Sequence, residues 1–278
     1  MMSKNMMTRI ISGAVLLAIT AVCNYFGGLV LLLVLFGASE IGLFEFYRAT
    51  GILKDNEKVN AVTSIGYLFT AVYYVLLYFR ENSELQLFSL IATIVITMGI
   101  YVFRFPKLHA DTIAYSIFGF VYVGVMISFI YRVRNLEYGI YTVWLIIIVS
   151  WLCDTCAYFT GMTIGKHKLA PILSPKKSIE GSIGGIVGSA VFGFLYARFV
   201  LDAMLPGCVI PIVIICVVCS AISQIGDLAA SAIKRNHNIK DYGTLIPGHG
   251  GILDRFDSVI FTAPMIFFLL SFMVHGQI

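Results

Sequence analysis

The chain has 278 residues, of which 59% are hydrophobic and 12% are charged, and its formal net charge is +4. Soluble domains carry roughly 25% charged residues, so this composition excludes a water-soluble globule and a disordered, collagen-like or coiled-coil chain. Because so few charged side chains cannot cover the surface of a soluble protein of this length, we predict an integral membrane protein.

Apolar stretches long enough to cross a bilayer recur along the whole chain. A spanning helix needs about 20 mostly apolar residues. Nine stretches meet this requirement: residues 9–24, 28–46, 61–79, 87–103, 113–131, 140–158, 182–200, 208–226 and 257–274. Lys4 and Arg9 precede the first stretch as in a signal peptide, but Gly27 and Gly28 lead directly into the second, so we expect an uncleaved hairpin. The predicted fold is all-α, with about nine transmembrane helices.

Lysine and arginine are distributed unevenly over these predicted spans. We place the N-terminus in the cytoplasm and the C-terminus outside. The 19 lysines and arginines then all fall on the cytoplasmic side, except Arg80, Arg132, Arg134 and Arg198. Positive residues favour cytoplasmic segments, so this bias supports both the number of spans and the orientation. We predict a protein of the inner or plasma membrane whose active site faces the cytoplasm.

Two connecting segments are too polar to be spans, residues 159–181 and 227–256. Both are predicted to be cytoplasmic, and they concentrate lysine, arginine, glycine and aspartate. Long connections of this kind often carry function. We therefore divide the chain into an N-terminal region of lipid-facing and packing helices, residues 1–135, and a C-terminal catalytic region, residues 136–278.

The six cysteines lie in or beside apolar stretches, and two pairs have the spacing of zinc ligands, Cys153 with Cys156 and Cys216 with Cys219. Four thiolates inside apolar helices would need a closed tetrahedral metal site. Small thiols pack between helices without an unusual cost. We interpret these cysteines as packing residues.

Two acidic residues inside the spans leave alternatives open. Asp154 near the inner end of the sixth span is either functional, as ionisable residues at membrane depth tend to be, or the ion-pair partner of a loop lysine. Glu40 in the second span either lines a cavity for a lipid headgroup or forms a hydrogen bond across helices, and we favour the hydrogen bond.

Small residues open the seventh span at four-residue spacing, Gly181 with Gly185 and Gly184 with Gly188. This pattern allows close approach of helices, either within the chain or in a homodimer.

Carboxylates and cations gather in the segment 227–256 and at its ends. If the eighth helix continues inward, Asp227, Ser231 and Lys234 share one face of it, and Asp254 and Asp257 share a face at the entrance of the ninth helix. Mg²⁺ is typically held by one or two carboxylates together with substrate phosphates. We therefore predict a magnesium site here.

Glycines and cations of the same segment favour a phosphate-binding site. Gly248, Gly250 and Gly251 allow backbone N–H groups to approach an anion, and lysine and arginine neutralise phosphate charge. Charged residues at helix ends are often solvated anchors, and glycines are often turn residues. That alternative explains single residues but not so many chemically related residues in one short segment.

The segment 231–257 resembles the signature of the phosphatidate cytidylyltransferases, or CDP-diacylglycerol synthases. Every position that the signature specifies is met by the residues Ser231, Lys234, Arg235, Lys240, Asp241, Pro247, His249, Gly250, Gly251, Asp254, Arg255 and Asp257. Residues 154–181 are similar to a second feature of this family. Met162 and Ala230 depart from the family pattern, in which arginine and glutamate are common, so one phosphate contact and one candidate metal ligand are not expected here.

The resemblance implies transfer of a cytidylyl group from CTP to phosphatidate, giving CDP-diacylglycerol and pyrophosphate for phospholipid biosynthesis. It implies Mg²⁺ as the cofactor, with room for a second metal ion, held by Asp227 and Asp254. Asp257 would be either a third ligand or a residue that contacts the ligands. Phosphates of CTP or the lipid would be held by Lys176, Lys177, Lys234, Arg235, Lys240 and Arg255. His249 would orient a phosphate or a loop carbonyl. Substrate contacts are further implied for Ser231, Asp241, Gly250 and Gly251.

The partners implied are CTP, phosphatidate, membrane lipids and a second copy of the chain, with no nucleic acid. Two other functions remain open at this point. A CTP-dependent lipid-alcohol kinase would share the membrane architecture but transfer the γ-phosphate. A cation or phosphate transporter would also place charges at helix ends, although inverted repeats of the kind common in transporters are not apparent in the sequence.

Overall fold

The computed structural model describes residues 4–53, 59–79 and 83–274, which are almost entirely helical. The helices are α1 (Lys4–Phe26), α2 (Gly28–Ala49), α3 (Ala61–Phe79), α4 (Ser83–Phe103), α5 (Ala110–Arg134), α6 (Gly139–Ile164), α7 (Ile179–Leu201), α8 (Val209–Asn236), the single turn α9 (Leu253–Phe256) and α10 (Val259–Val274). Two short strands, β1 (Lys168–Ala170) and β2 (Ser174–Ser178), pair antiparallel between α6 and α7. The all-α prediction is confirmed apart from this hairpin.

Within the described residues, the seven helices α2 to α8 are long and apolar enough to cross a membrane. The first and last predicted spans fall on shorter apolar stretches, Ile11–Phe26 of α1 and Val259–Met273 of α10. The chain is an integral membrane protein. The number of nine spans and the orientation stay predictions.

Two helices extend beyond their predicted spans. α6 continues to Ile164 and α7 begins at Ile179, so the predicted loop 159–181 is largely helical at its start and contains the hairpin. α8 continues to Asn236, which confirms that the eighth helix extends beyond its predicted span. In a helix, residues spaced by four and by three lie on one side, so Asp227, Ser231 and Lys234 share a face of α8.

The chain folds into two units. The first comprises Met1–Ser128 and His237–Arg255, and the second comprises Phe129–Asn236 and Phe256–Ile278. Most of the predicted segment 227–256 therefore lies in the first unit, and the hairpin lies in the second. The predicted division at residue 135 is one of functional role, which this structural division does not test.

In the first unit, α2 packs against α1, α3 and α5. Its residues Phe46 and Tyr47 are fully buried, and Tyr47 donates a hydrogen bond to the carbonyl of Ser116 at 3.1 Å. Gly119 in α5 makes this packing possible, because a Cβ there would lie 2.9 Å from both rings. The polar end of α2, including Glu45, is fixed by this core.

In the second unit, α7 packs against α6 and α8, and α8 packs against α10. The glycine face of α7 contacts α6: a Cβ on Gly184 would lie 2.5 Å from the Cβ of Thr160, and one on Gly188 would lie 2.6 Å from that of Cys156. This spacing therefore serves packing within the chain. It gives no support to the homodimer, which stays a prediction.

The cysteines pack as expected from the sequence. Cys153 is fully buried, and its sulfur would lie 3.0 Å from a Cβ on Gly185 of α7. Cys216 and Cys219 of α8 are also fully buried. The small thiols thus permit the close approach of helices.

Candidate functional site

A cavity of about 390 Å³ lies in the second unit and is formed by α6, the hairpin, α7 and α8. Its lining consists of Asp154, Ala157, Tyr158, Gly161, Met162, Leu169, Lys176, Lys177, Ser178, Gly181, Ser182, Gln224 and Asp227. Three predicted site residues, Lys176, Lys177 and Asp227, are therefore brought together. Asp154 lies in the same cavity, so the structure places it with predicted functional residues.

Lys177 and Asp227 form an ion pair across this cavity, with side chains 25% and 24% exposed. Burial lowers the pKa of Lys177, but the carboxylates of Asp227, Asp154 and Asp257 raise it more, so the net shift is upward. The ammonium group thus stays charged in the physiological pH range. A fixed cation in a partly buried cavity is suited to holding phosphate oxygens.

Asp257 lies between α9 and α10, where the N–H of Ser258 donates to its Oδ1 at 2.8 Å. Burial and the nearby carboxylate of Asp227 raise the pKa of Asp257 to about 7, while Lys234 acts in the opposite direction. Burial and the proximity of the Asp227 carboxylate therefore both disfavour the ionised form of Asp257. This observation fits a divalent cation, which would favour the ionised form of both carboxylates.

The protein provides only part of such a site. Among the residues that the structure describes, no group of three or more His, Cys, Asp and Glu side chains is arranged to hold a metal ion. Two carboxylates completed by substrate phosphates and water are typical of Mg²⁺. The chemistry of Asp227 and Asp257 thus fits this ion, whereas the assignment of Asp254 to the metal stays a prediction.

The cations of α8 differ in exposure. Lys234 is buried, with 9% of its surface exposed, and it acts electrostatically on Asp257. Ser231 is half-buried and Arg235 is exposed. Of Lys234, Ser231 and Arg235, it is Lys234 whose electrostatic effect on a carboxylate of the second unit is shown.

The hairpin is anchored at the start of α7, which explains its sequence. Ser178 caps this helix by accepting a hydrogen bond from the N–H of Gly181 at 3.1 Å. Glu180 accepts hydrogen bonds from the N–H groups of Lys166 at 3.1 Å and His167 at 3.2 Å. These contacts fix the strand that carries Lys177.

Sequence reasoning missed Gln224, which lines the same cavity and is 6% exposed. Its amide is held by Ser182, whose hydroxyl donates to Oε1 and whose carbonyl accepts from Nε2 at 3.0 Å. An amide in an apolar span, three residues before Asp227 and hence on its helix face, was the available signal.

A second cavity, of about 500 Å³, lies in the first unit. It is lined by Lys240, Asp241, Gly243, Thr244, Ile246, Pro247, Gly248, His249, Gly250 and Arg255. The loop folds back on itself, because the N–H of Ile246 donates to the carbonyl of Gly250 at 2.8 Å. Gly248 and Gly250 have φ values of +77° and +85°, which glycine adopts without strain. The loop thus places Lys240, Asp241, His249, Gly250 and Arg255 around one cavity.

His249 is held by α1, a contact that the sequence did not indicate. Its Nδ1 lies 2.7 Å from the Oγ of Ser12, which also lies within hydrogen-bond distance of the carbonyl of Pro247 at 3.2 Å. The imidazole therefore has a defined orientation beside the glycine loop.

Asp254 binds the backbone of this loop. It is 4% exposed, and its Oδ2 accepts hydrogen bonds from the N–H groups of Tyr242 at 2.8 Å and Gly251 at 2.9 Å. A Cβ on Gly250 would lie 2.8 Å from the same oxygen. The structure thus shows a role for Asp254 in shaping the loop.

Glu45 in α2 is a further residue that sequence reasoning missed. Its carboxylate accepts hydrogen bonds from the N–H groups of Ile252 at 3.1 Å and Leu253 at 2.8 Å. The acidic residue of this helix that the sequence analysis singles out is Glu40. Its Oε1 is buried without a hydrogen-bond partner among the described residues, so the favoured hydrogen bond across helices is not seen at this atom.

Comparisons with known proteins agree with the sequence resemblance. A family model described as the cytidylyltransferase family matches residues 7–273. The chain is 32% identical to a phosphatidate cytidylyltransferase of Bacillus subtilis over 96% of its own length and 98% of the relative's. It is 34% identical to the enzyme of that name from Staphylococcus haemolyticus, over 86% and 92%, and to that from Staphylococcus aureus, over 84% and 91%.

Proposed function

Because the chain belongs to the cytidylyltransferase family, we propose that it transfers a cytidylyl group from CTP to phosphatidate, releasing CDP-diacylglycerol and pyrophosphate. One observation carries this conclusion: the similarity to phosphatidate cytidylyltransferases extends over nearly the whole of both chains and includes the complete signature at residues 231–257. Neither lipid-kinase nor transport activity has comparable support.

The chemistry needs charge neutralisation more than proton transfer. A phosphate oxygen of phosphatidate forms a bond to the α-phosphorus of CTP, and the bond from that phosphorus to the bridging oxygen of the departing pyrophosphate breaks. The attacking oxygen is already anionic near neutral pH, so no strong general base is required. Positioning and electrostatic stabilisation should dominate.

We assign phosphate binding to cations of both units, each within its own cavity. In the second unit, Lys176 and Lys177 line the cavity, and Lys234 lies beside the carboxylates. In the first unit, Lys240 and Arg255 line the loop cavity. The proposal retains Arg235, Ser231, Asp241, Gly250 and Gly251 as substrate contacts. His249, held by Ser12, orients a phosphate or a loop carbonyl.

Mg²⁺ is the proposed cofactor, and Asp227 and Asp257 are the residues that would hold it. When bound, the ion would withdraw charge from the phosphates of CTP. The raised pKa of Asp257 supports this proposal, because burial and the neighbouring carboxylate of Asp227 disfavour the ionised form that a bound cation would favour. The proposal also includes Asp254 as a ligand and a second metal ion, both of which the sequence resemblance implies.

The cytoplasmic location of the active site is also a proposal. It is supported by the distribution of lysine and arginine over the spans. A homodimer is retained from the family resemblance.

The function is tested with purified protein in detergent, Mg²⁺ and phosphatidate. CTP labelled at the α-phosphorus should transfer its label to the lipid, whereas label at the γ-phosphorus should appear in pyrophosphate. Lipid labelled from the γ position would instead identify a kinase. Absence of CTP consumption with every lipid phosphate tried would refute the assignment.

A further inference from the structure

The carboxylate of Glu45 binds the loop of the first unit although it is more than two hundred residues away in sequence. Its Oε1 accepts from the N–H of Ile252 at 3.1 Å, and its Oε2 accepts from that of Leu253 at 2.8 Å. Leu253 is the first residue of α9, so Glu45 satisfies N–H groups that a helix start leaves unpaired. Only 4% of its surface is exposed, which strengthens these hydrogen bonds.

Two glycines of the loop are packed directly against this carboxylate. A Cβ on Gly243 would lie 2.8 Å from the Cδ of Glu45, and a Cβ on Gly251 would lie 2.6 Å from it. Neither position leaves room for a methyl group while Glu45 stays in place. With Glu45 in place, this chain therefore needs glycine at both positions.

Asp254 holds the neighbouring part of the same loop through the N–H groups of Tyr242 and Gly251. Together, Asp254 and Glu45 bind the backbone at four positions, including three consecutive ones, Gly251, Ile252 and Leu253. Between the bound positions lie His249 and Gly250, and Arg255 follows them. A loop whose backbone is fixed in this way presents its cavity-lining groups in one geometry.

We propose that Glu45 is a positioning residue for cytidylyl transfer, which holds the segment Gly251–Leu253 so that the loop cavity is formed before substrate binds. This inference rests on the proposed function for its effect on catalysis, but the contact itself does not. Glu45 needs no contact with substrate in this role. It acts through the backbone of the loop.

The first test compares Glu45→Gln with Glu137→Gln, the same chemical change at an exposed residue that lines neither cavity. Glutamine places an NH₂ group against one of the two backbone N–H donors, so one hydrogen bond is lost. We expect kcat per folded molecule to fall by about 10- to 100-fold, given the usual strength of a hydrogen bond to a charged group. Glu137→Gln should stay near the wild-type value. Each rate is divided by the folded fraction, because the lost hydrogen bond also lowers the stability of Glu45→Gln.

A merely structural role gives a different result. In that case Glu45→Gln would lower the amount of folded protein, while kcat per folded molecule would match that of Glu137→Gln. That outcome would overturn the proposal. Glu45→Asp, which keeps the charge but shortens the reach, should restore part of the lost turnover.

The second test uses the packing of Gly243 on Glu45 and also applies if Glu45→Gln does not fold. Gly243→Ala should reduce turnover by about tenfold or more, because the added methyl group displaces the carboxylate. In a Glu45→Ala background, the same change should have a much smaller effect, because the two closest atoms that it would meet belong to the Glu45 side chain and only the Cα of Gly251, at 3.1 Å, stays in place. Independent, multiplicative losses would contradict the proposal.

Hydrogen exchange separates this inference from the proposed function. Without CTP, lipid or Mg²⁺, the amides of Gly251, Ile252 and Leu253 should exchange faster in Glu45→Gln than in Glu137→Gln. Equal exchange rates would refute the positioning contact even in an active enzyme. If wild-type protein made no CDP-diacylglycerol, the proposed function would fail, and the exchange rates alone would decide the role of Glu45.

Discussion

Asp227 and Asp254 both lie in the polar segment 227–256, but their carboxylates contact different groups. Asp227 faces the ammonium group of Lys177, while Asp254 accepts two backbone N–H groups of the glycine loop. A carboxylate paired with a side-chain cation can exchange that partner for a metal ion. A buried carboxylate that binds backbone amides is costly to redirect, because those amides would be left unsatisfied.

We expect Asp227→Asn to lower kcat by at least about 100-fold, because it removes a proposed ligand of Mg²⁺ and the charge opposite Lys177. The measurement is the initial rate as a function of Mg²⁺ concentration, with the unfolding temperature recorded in parallel. Asp202→Asn is the control, since Asp202 pairs with Arg198 in the second unit and lines neither cavity. Near-normal turnover of Asp227→Asn would exclude it as a ligand.

The raised pKa of Asp257 predicts that the stability of the protein depends on pH once EDTA has removed any bound metal. Its pKa in the folded protein is raised to about 7, so the folded state binds this proton more tightly than the unfolded state. The stabilisation that comes from this tighter proton binding is fully present below the ordinary pKa of an aspartate, and it is lost as the pH rises towards 7. Asp257→Asn should therefore raise the unfolding temperature at about pH 8 and change it little at about pH 4.

The effect of Asp257→Asn at low pH serves as the control for its effect at high pH. A larger stabilisation by Asp257→Asn at low pH than at high pH would show that burial and Asp227 do not raise this pKa. Added Mg²⁺ should reduce the advantage of the variant at high pH, because the ion would compensate the wild-type charge.

Among the elements, α7 shows how small residues determine the position of a site. Its glycine face brings α6 close enough for Asp154 and Lys177 to line one cavity. The capping serine at residue 178 then joins the hairpin directly to this helix. The site of the second unit therefore depends on helix packing that is remote from its charged groups.

Gly184→Ala should destabilise the protein by about 1 to 3 kcal/mol, the usual cost of overpacking. The new Cβ would lie 2.5 Å from the Cβ of Thr160 in α6. Gly99→Ala in α4 is the matched control, because a Cβ there meets nothing within 4 Å. Unfolding in detergent provides the measurement, and equal midpoints for the two variants would show that α6 and α7 are not closely packed at this position.

At the scale of the whole molecule, the orientation in the membrane decides which substrates reach the cavities. Ile172 in the hairpin turn is 88% exposed, and Ala203 is exposed in the connection between α7 and α8. These two positions flank α7, so they should lie on opposite sides of the membrane.

In intact cells, a membrane-impermeant maleimide should label Ala203→Cys but not Ile172→Cys, each in a background without other cysteines. Permeabilised cells should show labelling of both. The reverse pattern would invert the predicted orientation and place the hairpin outside. Labelling of both positions in intact cells would argue that α7 does not cross the membrane.

Hydropathy predicted the limits of five of the seven long apolar helices to within a few residues, because a membrane-spanning segment must be apolar over its full length. The other two, α6 and α8, extend beyond their predicted spans. The strands Lys168–Ala170 and Ser174–Ser178 were not predicted, since their sequences are polar and short. In the site, lysines, aspartates and glycines were found because their types are unusual in an apolar chain. Glu45, Ser12 and Gln224 were missed because each lies singly in a span, and its partner is far away in sequence.

The sequence by itself determined that this protein lies in a membrane, where its charges are concentrated and to which family it is similar. These properties depend on composition and on the order of residues within single segments. Only the tertiary structure decided which of the predicted residues line the cavity beside Asp227 and which line the cavity of the glycine loop. The physical reason is that a carboxylate's function depends on the groups it contacts. Those contacts join residues that are distant in sequence, as Glu45 and Leu253 are.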